Sequence, residues 1–459
     1  MEAITKFMTG LRDQGKRDAL HWRGRLFSYA DLCFLREEWT DRLKKLGFTP
    51  GTICGVYGDY SPQVCAIFLA LMEMKAIIVP FTREIEPEVP EFSRIAGVQW
   101  MIRVSPEDTF CVEAQPDAQI PPLVTSFLDR GHPGLIVFSS GSTGAPKGIL
   151  QDCEQVMRKF TEKRQGWRTV LFLLMDHFGG FNTLLSTFAY GGTGVCVEER
   201  SPEAVCRAIE QSSATLLPTT PTFLNFLIVS GVYHDYDLSS IQLITYGTEI
   251  MTEATLKKVR ETFPNARLKQ TYGLSELGVL RSKSENDHSV WLQIGGKGFE
   301  TKVVDGVLWV RSEANMAGYI NAPNPIDAAG WMCTGDRVEV RNGYLRFLGR
   351  DSEIINVGGK KVFPAEVETV LLEADNVCEA SVSGLRHPLL GQVVQAHISL
   401  DRPEDADALR ERLRDFCLER LARYKVPMRF VVIAKAEQHS RRFKKNRRTD
   451  SNVEVRKGG

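Results

Sequence analysis

Between Ile136 and Gly273 the apolar positions fall into two alternating textures. Short apolar runs at 194–199, 214–220, 241–247 and 266–273 read as buried strands. Between them, 202–212, 221–231 and 251–263 repeat apolar residues at helical spacing. Alternation of this kind predicts parallel sheets covered by helices. An earlier unit over 29–80 has the same style, with a helix at 30–47, a strand at 52–58, then a helix and a strand.

The texture changes after about Glu285. Segments 307–313 and 337–350 read as antiparallel β, joined at Asn342-Gly343 by a strong two-residue hairpin signal. Beyond Gly349 helices at 364–374 and 405–424 alternate with strands at 378–385, 393–400 and 428–435, a small α+β unit. The expected architecture is α/β. A large N-terminal domain (1–349) combines parallel α/β sheets with a distorted antiparallel β subdomain. A hinge (350–352) joins it to a small mobile α+β C-terminal domain (353–459).

Composition narrows the partners. At 459 residues the chain is too long for one core. Lys+Arg and Asp+Glu balance at 57 each, so no global field recruits nucleic acid or an acidic membrane. Ten scattered cysteines without C-x-x-C spacing fit reduced thiols and a cytoplasmic location. The start of the chain carries no apolar leader, and the most apolar run, 64–81, is broken by Glu73 and Lys75, so no membrane span is expected.

The chemistry is densest at 138–150, FSSGSTGAPKGIL. Small residues let a backbone close around a polyphosphate; Ser139, Ser140, Ser142 and Thr143 add hydroxyl donors, and Lys147 adds a positive charge. The preceding 133–138 reads as a strand, placing the loop at a strand end. It is not a Walker loop: counting from Gly141, Pro146 stands where glycine must precede the lysine, and Gly148 replaces the Mg²⁺-binding hydroxyl.

Four motifs in order along the chain resemble those of the adenylate-forming superfamily, which includes acyl- and aryl-CoA synthetases, peptide-synthetase adenylation domains and firefly luciferase. They are the 139–148 loop, TYGLSE at 271–276, TGD at 334–336 and GRDSEIINVGGKKVFPAEVE at 349–368. The resemblance implies ATP bound by Ser139, Ser140, Gly141, Ser142, Thr143, Gly144 and Lys147, with Glu276 on Mg²⁺ and Ser275 on an α-phosphate or carboxylate oxygen. It puts Tyr272 and Gly273 on one side of adenine and Gly247, Thr248 and Glu249 on the other, with Asp336 and Arg350 on the ribose. The hinge falls at Asp351 and Ser352. The family's catalytic lysine aligns with Lys444, in a segment where Gln438 and Phe443 replace the usual Pro and Gly, and Lys445 is the alternative.

The same resemblance makes His177 a wall or gate of an acid pocket lined by Phe178, Phe181, Tyr246, Leu274 and Leu277. Amino-acid-activating relatives place an Asp after the aromatic to pair an α-ammonium. Phe178, Gly179 and Gly180 follow His177 instead, so a plain aryl or acyl acid is expected. Gly358 and Gly359 mark a path for a pantetheine arm, belonging to CoA or to the phosphopantetheine of a carrier protein. The expected activity is therefore acid–thiol ligation through an acyl-adenylate. Carrier-protein loading, amide formation and a catalytically silent binding protein are the alternatives.

Overall fold

The computed structural model describes residues 2–140, 146–296 and 298–433. Two seven-stranded sheets form the large unit. The first runs Arg267–Gln270, Leu243–Tyr246, Leu216–Thr219, Arg168–Val170, Thr193–Val195, Asp18–Trp22, Arg25–Ser28. Its pairings are parallel except the edge hairpin formed by the last two strands. Helices Pro202–Ser212, Pro221–Ser230 and Glu253–Thr262 cross between its strands, each capped by a Ser or Thr that accepts from the first turn. The run-and-spacing pattern of the sequence maps directly onto these elements.

The second sheet runs Gly318–Tyr319, Pro146–Asp152, Gly134–Ser140, Ile77–Phe81, Ile53–Tyr57, Trp100–Val104, Phe110–Ala114. Its central pairings are parallel and its outer ones antiparallel. Gly134–Ser140 turns back antiparallel onto Pro146–Asp152, with Ser139 opposite Lys147 and Ser140 opposite Pro146. Ser139, Ser140 and Lys147 thus belong to two paired antiparallel strands.

Helices Pro62–Glu73 and Phe178–Ala189 meet between the sheets. Phe68 of one and Phe181 of the other pack edge to face with ring centroids 5.5 Å apart. Pro62–Glu73 is buried almost all round, which explains a helix with no polar stripe.

A six-stranded antiparallel sheet follows, in the order Ser282–Ser284, Leu292–Ile294, Tyr344–Arg350, Trp331–Arg341, Val307–Ser312, Phe299–Val304. Asn342 and Gly343 take positive φ of 52° and 79°, the left-handed pair that a tight two-residue hairpin needs. Beyond Arg350, residues from Ile355 to Val426 enclose a separate hydrophobic core. Its sheet holds Lys360–Val362, Ile355–Val357, Gly391–Leu400 and Val377–His387, with Arg429–Val432 added parallel to Gly391–Leu400. The Asn225 side-chain amide donates to the Cys378 carbonyl at 2.9 Å, tying this unit to the first sheet's helices.

Candidate active site

Tyr272 and Glu276 stand at the two ends of a narrow β-ribbon, Gly273–Leu274 against Gly278–Val279. The ribbon is tight enough to dictate glycines. A Cβ on Gly273 would lie 2.7 Å from the Gly278 carbonyl oxygen, and Gly278 has a φ of 78°. The Gln151 amide donates to the Ser275 carbonyl, and the Met316 amide donates to the Glu276 carbonyl at 2.7 Å, so both neighbouring strands pin the turn.

Glu276 is held through its side chain as well. The Tyr319 hydroxyl donates to Glu276 Oε1 at 2.7 Å, and Lys147 Nζ lies 5.2 Å from the Tyr319 ring centroid. Burial, then the Glu276 charge, pushes the Tyr319 phenol well up, so it remains a donor. Asn321, two residues on, accepts from the Gly148 amide at 2.9 Å and donates to the Pro146 carbonyl at 2.8 Å. Tyr319 and Asn321 thus connect the Glu276 turn to the strand Pro146–Asp152. Sequence reading missed both; the visible signal was a Gly-Tyr-Ile-Asn cluster just ahead of Pro323 and Pro325.

At the other end of the ribbon the Tyr272 hydroxyl donates to Asp336 Oδ2 at 2.6 Å, and Arg350 Nε donates to Oδ1 at 3.2 Å. Asp336 and Arg350 are direct partners across the antiparallel strands. Burial raises the Asp336 carboxyl, opposed by Arg350 and then Tyr272. The Tyr272 phenol is pushed far up by burial, then by Asp336. Tyr272 was expected to offer a flat face to adenine; Phe347 stacks on one face at 4.6 Å and 23°, so the opposite face is what remains.

The 247–249 segment is shaped by contact. A Cβ at Gly247 would sit 2.5 Å from Thr271 Oγ1, and Thr248, although β-branched, holds a φ of 68°. Glu249 Oε2 accepts from the Thr222 amide at 3.2 Å, at the start of Pro221–Ser230.

The expected acid pocket divides. Phe181, Tyr246 and Leu277 are at most 1% exposed and pack in the surrounding cores, and Phe178 at 2% packs in the same core as Phe181. Leu274 and His177 are half-buried. His177 precedes helix Phe178–Ala189, and its carbonyl accepts from the Gly180 and Phe181 amides at 3.1 and 3.2 Å. The Phe178 ring comes within 3.6 Å of where a Gly278 Cβ would stand, so the helix start abuts the Glu276 ribbon.

Asp351 opens a single helical turn, Asp351–Glu353, and its carboxylate pairs with Arg337 of the antiparallel sheet. Gly358 and Gly359, with φ of 55° and 82°, form the tight turn between Ile355–Val357 and Lys360–Val362. Nothing lies within 4 Å of a Cβ built on Gly359. Gly141, Ser142, Thr143 and Gly144, and Lys444 and Lys445, lie outside the described residues.

Among the described residues no cluster of three His, Cys, Asp or Glu side chains could hold a metal alone. A Mg²⁺ at Glu276 fits a different donor set, with one hard carboxylate oxygen completed by phosphate oxygens and water. No helix among the described residues is long and apolar enough to cross a membrane.

Residues 9–320 match the family of AMP-binding enzymes, and residues 366–444 match the AMP-binding enzyme C-terminal domain. Acyl-CoA synthetase 7 of Caenorhabditis elegans is 29% identical over 63% of this chain, which spans 59% of that protein's length. The long-chain-fatty-acid–CoA ligase FadD13 of Mycobacterium tuberculosis is 25% identical over 89% of both chains. Among solved structures, the anthranilate CoA ligase AuaEII in complex with anthranoyl-AMP has a TM-score of 0.80 at 20% identity, covering 96% of each chain, a likeness of fold. With the first of these family matches spanning well over half its length, the chain belongs to the AMP-binding, adenylate-forming enzymes.

Proposed function

We propose that this protein activates a carboxylic acid without an α-amino group, using MgATP to form an acyl-adenylate and pyrophosphate, and then transfers the acyl group to a thiol, that of CoA. One observation carries the reading. A single short ribbon has the Tyr272–Asp336–Arg350 network at one end and the Glu276–Tyr319–Lys147 chain at the other. In this reading Asp336 and Arg350 hold the ribose, and Lys147 with the Ser139 to Gly144 segment holds the β- and γ-phosphates.

Glu276 would hold Mg²⁺, which neutralises the leaving pyrophosphate when bound. The ribbon connects these ends, so the α-phosphate falls beside Ser275, within reach of an acid entering past His177, Phe178 and Leu274. Lys444 supplies a cation bridging the attacking carboxylate and the α-phosphate. The C-terminal unit then turns about Asp351 and Ser352, withdrawing Lys444 and bringing the Gly358–Gly359 turn to the thiol.

The test is carboxylate-dependent ATP–pyrophosphate exchange over a panel of aryl and acyl acids. Lys444→Ala is expected to lose about 10²–10³ in rate, while Lys445→Ala stays near wild type. Loss in Lys445→Ala instead would move the catalytic lysine by one position. Acyl transfer to free CoA separates the thiol reading from carrier-protein loading or amide formation. ATP binding without exchange on any acid would favour a silent binding protein.

A further inference from the structure

Lys159 follows the short helix Cys153–Arg158 and turns its ammonium inward. The Nζ donates to Asn182 Oδ1 and lies 4.9 Å from the Phe160 ring centroid and 5.7 Å from that of Phe178. Among the described residues no carboxylate comes within ion-pair distance of it, whereas Arg36, Arg200 and Arg350 each have one. Desolvation, with the Arg164 charge second, pushes the ammonium down to about 7. Lys269, on the strand leading into Tyr272, is also pushed down, by burial and then by Arg164 and Arg267. The one acid on this stretch, Glu162, is engaged by Arg281 at 3.0 Å and Arg164 at 3.5 Å.

A cation desolvated in this way is costly unless an anion completes it. Its position says which anion. Phe178 neighbours both Lys159 and Gly278 of the Glu276 ribbon, and Asn182 lies one helical turn beyond Phe178. The ammonium is therefore a neighbour of Phe178, the residue that abuts the Glu276 ribbon. An α-ammonium on the substrate would be repelled there, and an uncharged tail would leave the cation unmatched.

We propose that Lys159, held by Asn182 beside Phe178, receives a second anionic group on the acid, a distal carboxylate, so that the preferred substrate class is dicarboxylic. This inference rests on the acid-activating reading above. Lys159 is a specificity residue here and takes no part in the bond-making step.

The experiment is pyrophosphate exchange with a ladder of α,ω-dicarboxylic and aryl dicarboxylic acids of increasing length, each beside its mono-methyl ester. In the wild type the best diacid is expected to exceed its ester in kcat/KM by about 10–100-fold, the range of one charge-assisted hydrogen bond. Lys159→Met is expected to erase that ratio through KM for the diacid while leaving the ester unchanged, and Lys159→Arg to keep it. Lys159→Gln, which retains a bond to Asn182, replaces the Met variant should the latter lose activity with the ester too. Exchange with monoesters at or above the diacids, or a ratio that survives in Lys159→Met, overturns the proposal and leaves adenylation standing. Exchange with neither member of any pair overturns the adenylation reading, and the dicarboxylic proposal with it.

Discussion

The two ends of this site are built on opposite electrostatic plans. At the proposed nucleotide end both carboxylates are engaged: Asp336 takes hydrogen bonds from Tyr272 and Arg350, and Glu276 takes one from Tyr319. At the proposed acid end Lys159 has an amide and two aromatic faces but no acid among the described residues. A closed network can stand ready before its ligand arrives, because no buried charge waits for compensation. An open cation instead records something about the ligand that completes it. The first end suits the part of the substrate pair that every adenylating enzyme shares. The second suits the part that differs.

The largest expected effect would break the closed end. Asp336→Ala removes the acceptor that Tyr272 and Arg350 share and leaves both donors without their partner. We expect KM for ATP to rise about 100-fold, the loss of two hydrogen bonds to a charged group, and to rise equally for every acid. An effect confined to one class of acid would mean that Asp336 does not serve the nucleotide.

Tyr319→Phe tests the same end more gently. It deletes one hydroxyl, leaves the ring under Lys147, and frees Glu276 to move. The expected result is about a tenfold fall in kcat with all acids, reporting a mispositioned carboxylate and not a lost ligand. Raising Mg²⁺ should recover part of it. No change in kcat or in Mg²⁺ dependence would make Tyr319 a packing residue.

How much of this was legible beforehand follows the distance between partners. The parallel strands and their helices read directly from local periodicity, and Asn342-Gly343 announced its hairpin because the turn type restricts the residues. Asp336 and Arg350 were assigned by resemblance, and their meeting depends on the register of that hairpin. The Tyr319–Glu276 bond joins residues 43 apart through the pairing of Gly318–Tyr319 with Pro146–Asp152. No local pattern encodes such a pairing. Lys159 lies in the sequence Met-Arg-Lys-Phe-Thr-Glu-Lys, indistinguishable from a solvated helix end until Phe178 and Asn182 are folded over it. The burial of Phe181, Tyr246 and Leu277 was not legible for a related reason: composition separates apolar from polar but not a cavity wall from the core behind it.

The smallest expected effect sharpens the open end, through pH. Lys159 loses its proton near 7 in the unliganded fold, and every charged group placed near it bears on that value: Arg164 lowers it, while Glu162 is committed to Arg281 and Arg164. Asn182, its hydrogen-bond partner, does not titrate. The charged form prevails below about 7, so the diacid-to-ester ratio in kcat/KM should be highest there and fall about tenfold over the next one to two pH units. The ratio in Lys159→Met should be flat. The same displacement has a signature in stability. Between about 7 and the free-lysine value near 10.4 the unfolded chain holds the proton that the folded chain has lost, so the contribution of Lys159 to stability rises with pH across that window. A bound diacid would raise the lysine's pKa and flatten that rise, whereas a bound monoester would leave it in place. Denaturation followed with each ligand therefore reads diacid binding at Lys159 without any turnover.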